Sequence, residues 1–144
     1  MGSQSGLMNG FLLDTHVWIW LQEADPRLPR AAVHMIERAQ AQHRVFASAI
    51  SVLEIAQLLE KGRIELSYSI HAWLTQSFSD EGIRLLPLSP EIVVESTRLP
   101  GNLHRDPADR ILTATTRIEN LTLLTRDARL LEYGDAGNLR TERV

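Results

Sequence analysis

Apolar residues along the chain fall into short consecutive runs separated by longer segments with helical spacing. Four runs, at residues 11–13, 44–47, 83–88 and 121–125, predict strands buried on both faces, as in a parallel sheet. Residues 139–144 predict a further strand at the sheet edge. The intervening segments predict helices at residues 17–21, 30–41, 48–61, 70–78, 89–99, 106–119 and 127–133.

Capping residues mark where several of these helices begin. Ser48, Ser89 and Asp106 are typical N-cap residues, and a proline directly follows the last two, as is common at the first helical position. Gly62 suits the C-terminal end of the helix that Ser48 opens. Because strands alternate with helices throughout, the pattern predicts an α/β fold: a three-layer α/β/α sandwich around a mostly parallel sheet of four to five strands.

Length and composition favour one domain. The chain has 144 residues, of which 44% are hydrophobic and 23% charged, as in globular proteins. We expect residues 1–7 to be a linker or disordered segment and residues 8–144 to form a single domain. The absence of cysteine excludes a disulfide scaffold and a thiolate zinc site, and it suits a cytoplasmic protein. No apolar run approaches the roughly 18 residues of a membrane span.

Acidic residues occur at unusual places in this pattern. Asp14 and Asp127 follow the first and fourth strands, so a parallel sheet brings both to the same edge, where ligands bind in such folds. Glu54 lies on a helix almost surrounded by apolar residues, so we expect it to be largely buried. Asp106 and Asp109 occupy the first turn of a later helix, and whether Asp109 reaches the same edge depends on the crossover.

Each acid also has a purely structural explanation. Asp14 and Asp127 suit helix caps, Ser51 and Glu54 match a capping box, and acids in a first turn gain from the helix dipole. Several converging carboxylates, however, repel one another unless a cation lies between them. Oxygen ligands favour one or two Mg²⁺ or Mn²⁺ ions, and scattered histidines with no cysteine disfavour zinc.

Four motifs together resemble a known family, the PIN-domain ribonucleases, specifically toxins of the VapC type from toxin–antitoxin pairs. The motifs are Leu12-Leu-Asp-Thr-His16, Ser48-Ala-Ile-Ser-Val-Leu-Glu-Ile-Ala56, His104-Arg-Asp-Pro-Ala-Asp-Arg-Ile-Leu-Thr-Ala114 and Leu123-Leu-Thr-Arg-Asp127. They occur in the family's order and spacing, and the resemblance spans about residues 10–142.

The resemblance implies roles for particular residues. Asp14, Glu54, Asp109 and Asp127 match the family's catalytic, metal-binding acids, with Asp106 as a supporting neighbour and the alternative third acid. Thr125 matches a hydroxyl residue often found beside the site. The family implies an endoribonuclease that depends on Mg²⁺ or Mn²⁺, forms a homodimer, and is inhibited by a small cognate antitoxin whose tail enters the acidic site.

Arginines near the acids are candidates for contacts with RNA phosphates. They are Arg105, Arg110, Arg126 and Arg129, although a solvated surface explains any one of them equally well, and Arg110 is expected to pair with the acids. The net charge of −3 argues weakly against a broad nucleic-acid surface.

Two further enzyme classes and one non-enzyme remain as alternatives. A phospho-acceptor receiver domain needs a lysine near the acids, but the only lysine is Lys61, at a helix end. A metal-dependent phosphatase on a similar sheet and a catalytically silent PIN-like binding module are the other two.

Overall fold

The computed structural model describes residues 9–79 and 82–144 and confirms the alternation of strands and helices. The prediction for residues 1–7 lies outside the described residues. In chain order the elements are β1 Phe11–Leu13, α1 Thr15–Gln22, α2 Arg30–Gln40, β2 Val45–Ser48, α3 Ala49–Glu60, α4 Ile70–Ser77, β3 Arg84–Leu86, α5 Pro90–Ser96, α6 Pro107–Ile118, β4 Thr122–Thr125, α7 Ala128–Asp135 and β5 Thr141–Arg143.

All five strands form one parallel sheet in the order β3-β2-β1-β4-β5. The chain moves outward from β1 to β3 and then returns to place β4 on the other side of β1. Strand order therefore reverses between β1 and β4, and Leu13 of β1 pairs with Leu124 of β4, so the two strands end level with each other. In open parallel sheets, ligands bind beyond the carboxyl ends of the strands at such a switch point.

Side chains alternate between the two faces of the sheet and define two helical layers. On one face Phe11, Leu13 and Leu124 pack with buried residues of α1, α2 and α4, including Trp18 and Trp73. On the other face, Leu12 and Leu123 pack with residues of α6 and α7, and a smaller cluster joins α5 to α6. This arrangement is the expected α/β/α sandwich.

Helix α5 and strand β3 end earlier than the sequence predicts, in each case before a proline, and strand β5 spans residues 141–143 rather than 139–144. Helix α5 ends at Ser96 rather than Leu99, because the residue before Pro100 is disfavoured in helical conformation. Strand β3 ends at Leu86 rather than residue 88, because Pro87 has no backbone N–H to donate to the sheet. Within the described ranges, no helix has both the length and the apolar character needed to cross a membrane.

Candidate active site

Five acidic side chains line one cavity of about 370 Å³ at the carboxyl ends of β1 and β4. They come from four parts of the chain: the end of β1, the middle of α3, the start of α6 and the end of β4. The residues are Asp14, Glu54, Asp106, Asp109 and Asp127. The fold thus brings together every acid that the sequence singled out.

Asp14 combines a structural role with a place in the cavity. Its Oδ1 accepts a hydrogen bond from Thr15 N at 2.8 Å, which caps helix α1, and its Oδ2 accepts one from Thr125 Oγ1 at 2.6 Å. Thr125 Oγ1 also accepts from Asp127 N at 3.0 Å, so this threonine links the ends of β1 and β4. Burial raises the pKa of the Asp14 carboxyl, and the two hydrogen bonds oppose that rise.

Glu54 is partly buried, and most of the residue is covered, as expected from the apolar residues around it on α3. One side of α3 is open to solvent, as the 51% exposure of Leu53 shows. Thr15 Oγ1 donates a hydrogen bond to Glu54 Oε1 and lies 2.7 Å from Ser51 Oγ, which ties α3 to the start of α1. Burial, and then the negative charge of Asp14, raise the pKa of the Glu54 carboxyl.

The capping-box explanation for Glu54 is wrong. That explanation requires helix α3 to begin at Ser51. Instead α3 begins at Ala49, and the cap is Ser48, whose Oγ accepts from Ile50 N at 3.1 Å. Glu54 therefore lies within the helix, where it has no capping role.

The structure separates the roles of the two acids at the start of α6. Asp106 is exposed and caps the helix, since its Oδ1 accepts from Asp109 N at 3.0 Å. Asp109 is half-buried, and its Oδ2 lies 2.6 Å from His104 Nε2. Burial raises the pKa of the Asp109 carboxyl, the His104 hydrogen bond lowers it, and nearby Asp14 raises it further. These contacts favour Asp109 over Asp106 as the third acid.

Asp127 also caps a helix while facing the cavity. Its Oδ1 accepts hydrogen bonds from Arg129 N at 2.8 Å and Leu130 N at 3.2 Å at the start of α7. Its Oδ2 lies 3.8 Å from Arg129 Nη2. The capping role predicted for Asp127 is therefore confirmed, and one carboxylate oxygen is left for the cavity.

The donor set of this cavity suits a hard divalent cation. The cavity offers several carboxylate oxygens and no thiolate, and burial makes three of the carboxyls costly to ionise without a nearby positive charge. Among the described residues, no three acidic or histidine side chains are close enough to enclose an ion by themselves. This spacing fits an ion such as Mg²⁺, which keeps several water ligands beside one or two carboxylates.

The four arginine candidates have different surroundings. The expectation that Arg110 pairs with the acids is wrong. Its guanidinium donates to the backbone carbonyls of Ser96 and Leu103 at 2.8 and 3.0 Å, which holds the loop between α5 and α6 in place. Arg126 lines the cavity, but it donates to Val144 O and lies 4.7 Å from the Trp20 ring centroid. Arg105 is exposed, and Arg129 lines the cavity with 62% of its side chain exposed.

Sequence reasoning did not assign a role to three residues that hold the acids in place. Thr15, Ser51 and His104 contact Glu54 or Asp109 directly or through one another. Ser51 shares a polar stripe with Glu54 on α3, and Thr15 and His104 lie close in sequence to acids. These positions were the only signals for the three residues in the sequence. The hydrogen bond from Thr15 to Glu54 joins residues 39 positions apart, and local sequence patterns do not predict such a contact.

Comparison with known proteins agrees with this geometry. Residues 11–136 match the PIN domain family. The chain belongs to the PIN-domain family. It is 36% identical over 126 residues to Ribonuclease VapC22 of Mycobacterium tuberculosis, an alignment that covers 88% of this chain and 93% of that protein. This relative places the PIN domain in the VapC group that its motifs resemble.

Two solved structures share the fold of this PIN domain. The DNA-bound VapBC2 complex from Rickettsia felis includes a chain that matches with a TM-score of 0.69 and 16% identity, covering 92% of this chain and 97% of that one. The DNA-bound VapBC complex from Salmonella typhimurium matches with a TM-score of 0.63 and 18% identity, covering 93% and 97%. At these identities the two structures support the fold alone.

Proposed function

We propose that this PIN domain is an endoribonuclease that depends on Mg²⁺ or Mn²⁺ and acts as the toxin of a toxin–antitoxin pair. The relationship to Ribonuclease VapC22 supports RNA as the substrate. The relationship to VapC22 also leads us to expect a cognate antitoxin as the partner, as in the VapBC complexes whose chains share this fold.

The observation that carries the proposal is the convergence of Asp14, Glu54, Asp109 and Asp127 in one cavity. Three of them have a pKa raised by burial, so the fold holds negative charge where it is unfavourable. A fold gains nothing in stability from such an arrangement unless a cation binds. The cavity is therefore best explained as a metal site.

The chemistry of RNA hydrolysis matches what these residues offer. Asp14, Glu54, Asp109 and Asp127 would hold the ion together with water ligands, one or two of these carboxylates directly and the others through water. When bound, a divalent ion lowers the pKa of water and stabilises negative charge on the phosphate oxygens. Thr15, Thr125 and His104 fix the carboxylates in place through hydrogen bonds. Without a cation the acids repel an RNA phosphate, so metal and substrate binding are coupled.

Two further parts of the proposal concern contacts with other molecules. The exposed side chain of Arg129 at the cavity wall suits a phosphate next to the cleaved bond. Exposed apolar side chains support a homodimer surface. They lie on α3, on β3, just after β3 and on α5, and they are Leu53, Leu85, Leu88, Val93 and Val94.

Cleavage of a mixed cellular RNA pool tests the proposed function. We expect the purified protein to cut RNA with Mn²⁺, to stop cutting with EDTA, and to lose cutting in Asp14→Asn. The matched control Asp25→Asn changes an acid outside the cavity and should cut as the wild type does. Cutting that survives both EDTA and Asp14→Asn would refute the proposal. Hydrolysis of a small phosphomonoester without RNA cleavage would favour the phosphatase alternative.

A further inference from the structure

A second cavity of about 360 Å³ adjoins the acidic one and differs from it in chemistry. It lies between the loop that precedes α6, helix α7 and the segment that follows α7. Its walls combine apolar surface from Leu103, Tyr133 and Ala136 with the side-chain amides of Asn102 and Asn138. This volume lies at the small end of the range of about 300–1,000 Å³ for ligand pockets.

Two residues connect the cavities. Arg129 lines both of them, and its side chain is 62% exposed. His104 lines the second cavity, while its Nε2 lies 2.6 Å from Asp109 Oδ2 in the first. The two cavities therefore meet at Arg129, and a molecule with a phosphate in the acidic cavity would pass this guanidinium to enter the second cavity.

The walls of the second cavity are held in place by the fold. The Tyr133 side chain is almost fully buried, and its hydroxyl donates a hydrogen bond to the carbonyl of Pro100. Gly101 has a φ of +66°, which favours glycine, and a Cβ there would lie 3.3 Å from Asn138 Nδ2 and 3.7 Å from a Tyr133 ring carbon. A larger residue at position 101 would thus be strained and would crowd Asn138.

The chemistry of the second cavity suits a nucleobase. The Asn102 amide offers both a donor and an acceptor, as the edge of a base requires, and apolar walls suit the faces of a base. Asn138 Nδ2 already donates to Tyr133 O at 3.4 Å, which leaves its other N–H and its Oδ1 for a ligand. One positive side chain, Arg129, and one negative side chain, Glu132, line this cavity, whereas five acids line the neighbouring cavity. We propose that the second cavity holds the base of the nucleotide next to the cleaved phosphodiester, with Arg129 contacting the phosphate between them. This inference rests on the proposed ribonuclease function.

Titration with the four ribonucleoside 5′-monophosphates in the presence of Mg²⁺ tests the inference without requiring catalysis. We expect NMR to show that at least one of them shifts the side-chain amide signals of Asn102 and Asn138. Ala136→Trp fills the cavity and should weaken that binding by roughly tenfold or more. The exposed Asn102→Ala removes one amide with little risk to folding and should weaken it in the same direction.

The matched control is Ala41→Trp. Ala41 and Ala136 are both exposed C-cap residues of helices, but Ala41 precedes β2, which lies on the other side of β1 from β4 and β5. The Ala41→Trp variant should bind the monophosphates as tightly as the wild type does. If no monophosphate shifts the amide signals, or if Ala136→Trp and Asn102→Ala bind as tightly as Ala41→Trp, the inference is wrong.

A second readout separates this inference from the proposed function. The bases around each cut in a random RNA pool should change at one flanking position in Ala136→Trp and stay unchanged in Ala41→Trp. Cleavage with an unaltered base profile in Ala136→Trp would refute the base site while leaving the ribonuclease function standing. Binding of a monophosphate that depends on Ala136 and Asn102, without RNA cleavage by the wild type, would count against the ribonuclease function and overturn the placement of this base beside a cleaved phosphodiester.

Discussion

An aspartate lies near each end of helix α1. The surroundings favour the ionised form of one and disfavour the ionised form of the other. Asp25, just beyond the helix, accepts hydrogen bonds from Arg27 Nη2 at 2.7 Å and Arg27 Nε at 3.1 Å, and these bonds lower its pKa to about 2. Asp14, at the N-terminal end, has hydroxyl and backbone donors only, and burial raises its pKa. The fold thus gives Asp25 a hydrogen-bonded guanidinium, whereas Asp14 has no hydrogen-bonded cation and only the charge of His16 acts with its two hydrogen bonds against its burial.

This contrast explains why acid content alone does not identify a site. An aspartate with a guanidinium partner already has its charge balanced and needs no further ligand. Asp14, Glu54 and Asp109 share a cavity where the charges of Asp14 and Asp109 raise the pKa of Glu54, and the charge of Asp14 raises the pKa of Asp109. A group of acids that the fold leaves uncompensated is a candidate for an external cation.

The largest expected effect distinguishes the two acids at the start of α6. Asp109→Asn should lower RNA cleavage by roughly 100-fold or more, because it removes a carboxylate proposed to hold the metal. Asp106→Ala should keep most of the activity and cost about 1 kcal/mol of stability, because it removes the cap of α6. Cleavage rates and urea unfolding of both variants measure this. The reverse pattern would assign the third acid to Asp106.

A smaller effect is expected at His104, which positions Asp109. His104→Ala should weaken Mn²⁺ binding by about 10-fold, as loss of such supporting contacts typically does. His104→Gln keeps a donor near the position of Nε2 and should recover part of the affinity. Calorimetric titration of both variants with Mn²⁺ gives the comparison. Equal loss in both variants would mean that the ring, rather than its hydrogen bond, supports the site.

Removing the uncompensated charge should stabilise the protein when no metal is present. Asp14→Asn in EDTA should unfold a few degrees higher than the wild type at neutral pH, because burial disfavours the ionised Asp14. Asp25→Asn should unfold at the same temperature or lower, because it loses a favourable pairing with Arg27. Thermal unfolding monitored by circular dichroism tests both, and a lower melting temperature for Asp14→Asn would contradict the account.

The smallest expected effect is the pH dependence of the free energy of unfolding. The buried carboxyls and Asp25 should contribute to it with opposite signs. Carboxyls with raised pKa values bind protons more tightly in the folded state. In EDTA they should therefore reduce stability as pH rises above their ordinary values of 3.8 and 4.5 and through the raised ones. Asp25 stabilises above pH 3.8, and that contribution should disappear as pH falls through about 2. Urea unfolding of both variants from acid to neutral pH measures these trends. Asp14→Asn should weaken the loss of stability as pH rises, and Asp25→Asn should weaken the loss of stability as pH falls through about 2.

Local features of the fold were predictable from the sequence because their causes are local. Ser48, Ser89, Asp106 and Asp127 each cap the helix that follows, as the residue types and nearby prolines indicated. The common edge for Asp14 and Asp127 followed from parallel strands that end at acids. These inferences require only neighbouring residues and the geometry of a parallel sheet.

Features that depend on contacts between distant residues were not predictable in the same way. The apolar pattern of α3 indicated burial on nearly all sides, but no described element covers the side that exposes Leu53. Arg110 follows an acid in sequence, yet its side chain turns to the backbone of the preceding loop. The link between Thr15 and Glu54 depends on how α1 and α3 pack together.

The most direct test of the central claim is the binding of Mn²⁺ to purified protein at neutral pH, measured by calorimetry and by electron paramagnetic resonance. The account predicts that the wild type and Asp25→Asn bind one or two ions and that Asp14→Asn loses this binding. Equal Mn²⁺ binding by Asp14→Asn and the wild type, or no binding by the folded wild type, would contradict the claim that these acids form a metal site.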